Sequence, residues 1–371
     1  MDSSRTADPV WHGRLLSGAS ASLRAWDGLV GPANADGRVS ARSLTLCAGL
    51  GELSAGCCEA LGGGARASEV RAAGAGLSLL TKLDDQVIDH PGFHGRGMEA
   101  RALRRRVAGY LWPTLASLES CVPARAEARC VMAAELGRRL VTLTGDRSRL
   151  EHLLEVIARG WAVQVEAVTL FTRHPSEVGL EEVERVTASI SGLWLLMITL
   201  VGTLPAEVGR GLTVGEEAAF QGWGLHIQHA DALADFGKDV WEGLVCTSAG
   251  WRLWREAPGA FEAALGAPEE AAGLYGALAA HGVDLACMPE GAALESLSAE
   301  LGALGRVGPL LQWIVGMLLY RYAVHPSSRR PLTDPCWASR GLEAPDVAQF
   351  IDGMVARRDE LFVPSRTIGE V

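Results

Sequence analysis

Apolar residues recur at three- and four-residue intervals along nearly the whole chain, and the spacing predicts helices over Ala41 to Leu61, Glu69 to Asp89, Glu99 to Leu118, Ala124 to Leu143 and Arg149 to Phe171. The same period predicts further helices over Leu180 to Leu204, Thr213 to Trp241, Gly259 to His281, Leu294 to Val324 and Ala344 to Leu361. Strand-like alternation bounded by turns is almost absent, so the expected fold class is all-α. Breakers separate the segments at Pro91-Gly92, Pro123, Pro175, Pro205, the loop around Gly250, Pro258, Pro289 and the proline-rich run 326–335. No polar stretch is long enough for a domain linker and no fixed-period repeat is present. Residues 1–371 therefore read as a single α-helical domain, with an N-terminal segment 1–40, a core 41–325 and a C-terminal loop and helix 326–371. The glycine-rich patch 61–76 reads as a loop leading into a weak helix start.

Charge narrows the ligands. The 371 residues carry 34 Lys+Arg against 44 Asp+Glu, a formal charge of −10, which suits neither nucleic acid nor an anionic lipid surface. Any anion must be held by local chemistry. The longest apolar stretch, Gly192 to Leu204, falls short of the about 20 residues a bilayer needs, so no stable membrane span is expected. The N-terminus carries acid and no apolar core, unlike a signal peptide, and the chain reads as soluble and cytoplasmic. Its eight cysteines include no CxxC and sit mostly in apolar surroundings, the pattern of buried free thiols.

Two acidic strings carry the chemistry. In the first, Asp84, Asp85 and Asp89 cluster at a predicted helix C-terminus, the unfavourable end of the helix dipole for a carboxylate. Either the cluster is a solvated, capping helix end, or an oxygen-seeking divalent cation offsets the repulsion. In the second, Asp231, Asp235 and Asp239 recur every four residues, placing three carboxylates about 6 Å apart along one stripe of an otherwise apolar helix. Two such stripes facing one cavity would suit several Mg²⁺ ions, and Mg²⁺ shares its coordination with phosphate oxygens, so a diphosphate ligand is implied.

At these residues the sequence resembles bacterial class I terpene cyclases of the isoprenoid synthase fold, a single-domain helical bundle around a central cavity. Asp84-Asp85-Gln-Val-Ile-Asp89 is similar to the aspartate-rich DDxxxD motif. The 231–239 string resembles the second metal motif, with Asp231, Asp235 and Asp239 in the Asn, Ser/Thr and Glu places and Lys238 in that of the family's Lys. Arg185, 46 positions before Asp231, lies where the family has its diphosphate-sensing arginine, and Arg321-Tyr322 resembles the downstream Arg-Tyr pair. The departures are an all-Asp second triad, Ala232 in place of the usual Asp, and the lack of aromatics in the run before the first motif.

The resemblance implies a Mg²⁺-dependent lyase that ionises a linear prenyl diphosphate of C15, C20 or longer and cyclises the carbocation, with three Mg²⁺ ions, or Mn²⁺ in their place. Asp84, Asp85 and Asp89 would hold metal from one side and Asp231, Asp235 and Asp239 from the other. Arg185, Arg321, Tyr322 and Lys238 would grip the leaving group. Competing readings are a surface pair of Arg185 with Glu181 or Glu182, a packing role for Tyr322, and a Lys238–Glu242 pair. Trp161, Trp194 and Trp313 would line the substrate cavity, with core packing as the alternative. The family's helix break would fall at Ala188 to Ile190, with Ser189 toward the substrate. His90, His94, His226 and His229 read as structural or lining residues. A rival within the same fold is also similar: Gly224, Gln228, Asp231, Asp235, Gly237, Asp239 and Gly243 match the second motif of squalene and phytoene synthases, which couple two prenyl diphosphates. Ala234, Leu244 and Cys246 stand where that motif has Arg, Arg and Tyr. The sequence leaves the oligomeric state open, a homodimer being one arrangement.

Overall fold

The computed structural model describes residues 9–35, 37, 39, 41–89, 93, 101–103, 105, 128–266, 274–288 and 290–323. The fold is all-α: helices and tight turns account for the secondary structure of these residues, and no strand occurs among them. The predicted helices Glu99 to Leu118 and Ala344 to Leu361 lie almost wholly or wholly outside the described residues, as do His90, His94, Cys121 and Cys336.

The first helix was not anticipated. Pro9–Ala33 (α1) occupies most of the segment read as an N-terminal extension. Its buried positions Ala19, Ser22, Trp26 and Val30 keep helical spacing, and the Trp26 indole donates to the Ala72 carbonyl at 2.7 Å. The segment predicted from Ala41 divides into α2 (Ala41–Gly49) and α3 (Gly51–Ala60). Then follow α4 (Ala67–Ile88), α5 (Ala128–Leu143) and α6 (Arg147–Phe171), each within a few residues of its predicted span. Asp146 caps α6 by accepting the Ser148 N–H at 2.9 Å.

Helix α7 (Leu180–Leu200) runs unbroken through Ala188 to Ile190, so the expected break there is absent. With the turn after it, Leu180–Thr203 is 24 residues long and apolar enough by length and composition to cross a bilayer, which corrects the shorter estimate from sequence; 78% of its most apolar window is buried inside the protein. The next predicted helix, Thr213 to Trp241, is two: α8 (Val214–Ala234) and α9 (Phe236–Glu242), broken at Asp235. Thr213 and Glu216 form a reciprocal capping box at the start of α8, and Arg210 clasps the Glu216 carboxylate with contacts of 2.6 and 2.7 Å. Gly243 ends α9 at φ 83°, a conformation that favours glycine.

The loop expected around Gly250 is instead helix α10 (Ser248–Glu256), capped by Thr247. Beyond it come α11 (Pro258–Gly266), α12 (Leu274–Ala280), α13 (Val283–Cys287), α14 (Gly291–Glu300) and α15 (Val307–Ala323). One contiguous apolar cluster extends from Ala19 to Tyr322 and draws on most of these helices, with a smaller cluster around Phe171, Val186 and Trp251.

A tight helix crossing in this core joins α7 to α8. A Cβ on Gly224 would lie 2.1 Å from the Gly192 nitrogen and 2.6 Å from the Ala188 carbonyl oxygen. Only glycine allows the two backbones to meet there, and that contact fixes the register between the residues each helix sends toward the site. The six described cysteines are free thiols, five of them buried.

Candidate functional site

The last turn of α4 presents the first acidic edge. Asp85 and Asp89, one turn apart, both line a central cavity. Lys82, a turn earlier on the same face, donates from Nζ to Asp85 Oδ2 at 2.8 Å, and Gln164 of α6 donates to Asp85 Oδ1 at 3.2 Å. Burial opposes ionisation of Asp85, yet Lys82 and then Lys238 hold its carboxyl below the ordinary range. Asp89 goes the other way: burial first and the Asp85 charge second push it well above that range.

Asp84 is a correction. It does not line the cavity but is fully buried on another face of α4, where Arg129 Nη1 of α5 donates to its Oδ1 at 2.8 Å. Successive helical residues are separated by about 100°, so Asp84 and Asp85 cannot share a face. Burial raises the Asp84 carboxyl to about 6, with Arg129 offsetting part of the rise.

The second edge is built around the break between α8 and α9. Asp235 sits at the break with φ −107° and ψ 10°. The Asp235 N–H still reaches the Asp231 carbonyl at 2.8 Å, and the Asp239 N–H reaches the Asp235 carbonyl at 2.9 Å. The four-residue stripe therefore survives the bend, and Asp231, Asp235 and Asp239 all line the same cavity as Asp85 and Asp89. Burial pushes the Asp239 carboxyl well above the ordinary range; Lys238 opposes this, and Asp235, Asp231 and Glu242 add to it. Lys238 also lines the cavity while its Nζ lies 2.9 Å from Glu242, so the pairing considered from sequence is present in a residue that also faces the site. Burial alone would discharge Lys238, but Asp239, Glu242 and Asp89 hold its pKa above the ordinary lysine value.

Between the edges lies a cavity of about 490 Å³. Trp161 of α6, Trp194 of α7 and Trp313 of α15 all line it, with Leu46, Phe171, Met197 and Ile314 among their apolar neighbours. Polar groups are few on this part of the wall: Ser191 donates to Gln228 at 2.5 Å, both facing the cavity, and the buried Trp194 indole N–H has no hydrogen-bond partner among the described residues.

Besides Asp84, four sequence candidates stand apart from the cavity or outside the described atoms. Ser189 does not line it, whereas its neighbours Ile190 and Ser191 do. Arg185 is exposed on α7 and donates from Nη2 to Glu166 Oε1 of α6 at 2.5 Å, not to Glu181 or Glu182. It is absent from the lining because its side chain follows the α6–α7 seam outward. Tyr322 is fully buried away from the lining, and its hydroxyl donates to Asp284 Oδ2 at 3.1 Å. Arg321 lies in the last turn of α15, and its side chain falls outside the described residues.

Sequence reasoning gave no role to Lys82 or Gln164, and it noted Ser191 only for a helix distortion and Gln228 only within the rival coupling motif. The signal for Gln164 was its spacing from Trp161, one turn away on an apolar helix; the signal for Lys82 was its i,i+3 relation to Asp85. His226 and His229 lie on α8 outside the lining, and burial lowers His229 to about 4.

Among the described residues no group of three or more His, Cys, Asp or Glu side chains is drawn together closely enough to hold a metal ion by itself. What the lining offers is an open set of oxygen donors: five carboxylates against two lysines, split between two facing edges. That donor set fits hard divalent cations that complete their coordination with water and phosphate oxygens, and it does not fit zinc-type nitrogen and sulfur ligation. Burial first raises the proton affinity of Asp89 and Asp239, and the neighbouring carboxylates add to it. The chain matches no protein-family model and no curated protein sequence.

Proposed function

We propose that this protein is a class I terpene cyclase: an all-α lyase that ionises one linear prenyl diphosphate and cyclises the resulting allylic cation, releasing pyrophosphate. The observation that carries the reading is the convergence of two acidic helix ends, roughly 150 positions apart in the chain, on one cavity whose remaining wall is mostly apolar and holds three tryptophans. The resemblance at 84–89 and 231–239 supports it.

In this reading Asp85 and Asp89 on one side, and Asp231, Asp235 and Asp239 on the other, hold the Mg²⁺ ions. The ions, when bound, supply the positive charge that stabilises the departing diphosphate. Lys82 keeps Asp85 ionised and oriented, a task shared with Gln164. Lys238, anchored on Glu242, offers a cation to the diphosphate oxygens at the same mouth. The hydrocarbon lies against Trp161, Trp194 and Trp313, whose ring faces each favour a nearby cation by about 0.5–2 kcal/mol. Apolar neighbours keep water from the cation until cyclisation is complete. Arg185 takes no part from its pair with Glu166, and Tyr322 acts through packing.

The residues of the coupling motif that are missing here, with Ala234, Leu244 and Cys246 in the Arg, Arg and Tyr places, favour a single substrate over the head-to-head coupling of two. Two glycines of the rival motif also have local explanations, the helix crossing at Gly224 and the positive φ of Gly243. Purified protein incubated with Mg²⁺ and C10, C15, C20 and C25 diphosphates should release pyrophosphate and yield a cyclic hydrocarbon or alcohol of unchanged carbon number. A C30 or C40 product would support coupling instead, and no pyrophosphate from any member of the panel would end the proposal.

A further inference from the structure

The bend that aims the second acidic edge is held from outside the cavity by one side chain. Tyr275 of α12, 4% exposed, donates from its hydroxyl to the Ala234 carbonyl at 3.1 Å and accepts the Gly237 N–H at 3.1 Å. These two backbone groups flank Asp235, one closing α8 and the other opening α9, so a single hydroxyl bridges both sides of the break. The Tyr275 ring is fixed in turn, edge-on to Phe236 with centroids 6.3 Å apart and tilted against Tyr322 at 6.2 Å. The Tyr322 hydroxyl is tied to the buried Asp284 carboxylate, which also accepts the Leu285 N–H at 2.8 Å.

We infer that Tyr275 is a positioning residue: it sets the angle between α8 and α9 and thereby the spacing of Asp231 and Asp235 relative to Asp239. The inference rests on the proposed function, because spacing matters only if the three carboxylates share cations. Helix termini carry backbone groups without partners inside the helix, and here the Tyr275 hydroxyl partners one such group on each side of the break. Without it, the chain between Asp231 and Asp239 can relax toward a straight α-helix, which rotates and lifts Asp239 away from its present place. Ligand-orienting groups of this outer kind typically change metal affinity by about 10–100-fold.

The test is Tyr275→Phe, which keeps the ring and its contacts and removes only the bridging oxygen. Thermal melts are recorded at fixed inorganic pyrophosphate over a Mg²⁺ series, beside wild type and Ser54→Ala, which removes a buried hydroxyl bond to the Ile198 carbonyl away from the cavity. Tyr275→Phe should raise the Mg²⁺ concentration giving half the maximal stabilisation by about tenfold or more, and the Gly237 amide should exchange its hydrogen faster. Ser54→Ala should lower the melting temperature without moving that concentration. If wild type shows saturable stabilisation and Tyr275→Phe leaves its midpoint in place, the positioning role is overturned while the proposed function stands. If wild type gains no stability from Mg²⁺ with pyrophosphate, the proposed function and this inference fall together.

Discussion

Replacing Gly224 by alanine tests whether the α7–α8 crossing sets the site. The new methyl carbon would lie 2.1 Å from the Gly192 nitrogen, 2.5 Å from its Cα and 2.6 Å from the Ala188 oxygen, against about 3.4 Å for ordinary contact. All three neighbours are backbone, so no side chain can swing aside; the helices must separate by more than an ångström. Overpacking of this kind costs about 1–3 kcal/mol, and backbone obstruction puts Gly224→Ala at the upper end. The methyl's own helix-propensity gain, on the order of 1 kcal/mol, offsets only part of it. A net loss of about 2 kcal/mol or more should lower Tm by roughly 2–3 °C or more in a chain of 371 residues. Because Ser191 and Trp194 ride on α7 while Gln228, Asp231 and Asp235 ride on or end α8, the separation should also weaken Mg²⁺–pyrophosphate stabilisation. Gly28→Ala on α1 provides the contrast: a Cβ there meets nothing within 4 Å, and Tm should rise slightly, by about 0.5–1 kcal/mol of added stability. Circular-dichroism melts of both variants measure the difference. A Gly224→Ala protein melting within a degree of wild type would refute the argument that the crossing is closed to any side chain.

Other perturbations have defined signs. Asp239→Asn removes a carboxylate whose ionised form is disfavoured by burial and by Asp235, Asp231 and Glu242; the free protein should melt at or above wild type at pH 7, while Mg²⁺–pyrophosphate no longer stabilises it and turnover falls at least about a hundredfold. Arg129→Ala leaves the buried Asp84 carboxylate without its guanidinium and should cost about 3–5 kcal/mol in denaturant titration, partly regained by adding Asp84→Asn. Glu216 is held below the ordinary glutamate range by Arg210 first, against burial and with help from the Thr213 cap. Its contribution is therefore present above the unfolded value of about 4.3 and disappears as pH falls through the lower folded value. Glu216→Gln should cost about 1–3 kcal/mol at pH 7 and flatten the acid limb of the Tm–pH curve. Trp194→Ala should change the product mixture more than the rate of pyrophosphate release, measured by mass spectrometry beside a phosphate-coupled assay.

Much of the site was legible because its signal is local. Carboxylates four residues apart on apolar helices share a face whatever the tertiary structure, so Asp85 with Asp89 and Asp231 with Asp235 could be placed from spacing alone. Adjacent residues obey the same geometry in reverse, which is why Asp84 left the set. Helix α10 was hidden because Gly250 reads as a breaker, yet it lies in the first turn, where a Cβ would meet the Val245 carbonyl at 2.1 Å. Arg185 shows the limit of a motif offset: position in sequence placed it on α7, but the carboxylate of Glu166 on a different helix decided where its side chain went. Tyr275 left no sequence signal, since its meaning comes from meeting Ala234 and Gly237 some forty positions upstream.

The claim that two distant acidic edges form one cation site is tested most directly by anomalous diffraction from crystals grown with Mn²⁺ and pyrophosphate. The account predicts manganese peaks inside the cavity, ligated by Asp85 or Asp89 on one side and by Asp231, Asp235 or Asp239 on the other, with pyrophosphate oxygens between. Peaks confined to other parts of the surface, or pyrophosphate bound with no metal between those edges, would contradict it.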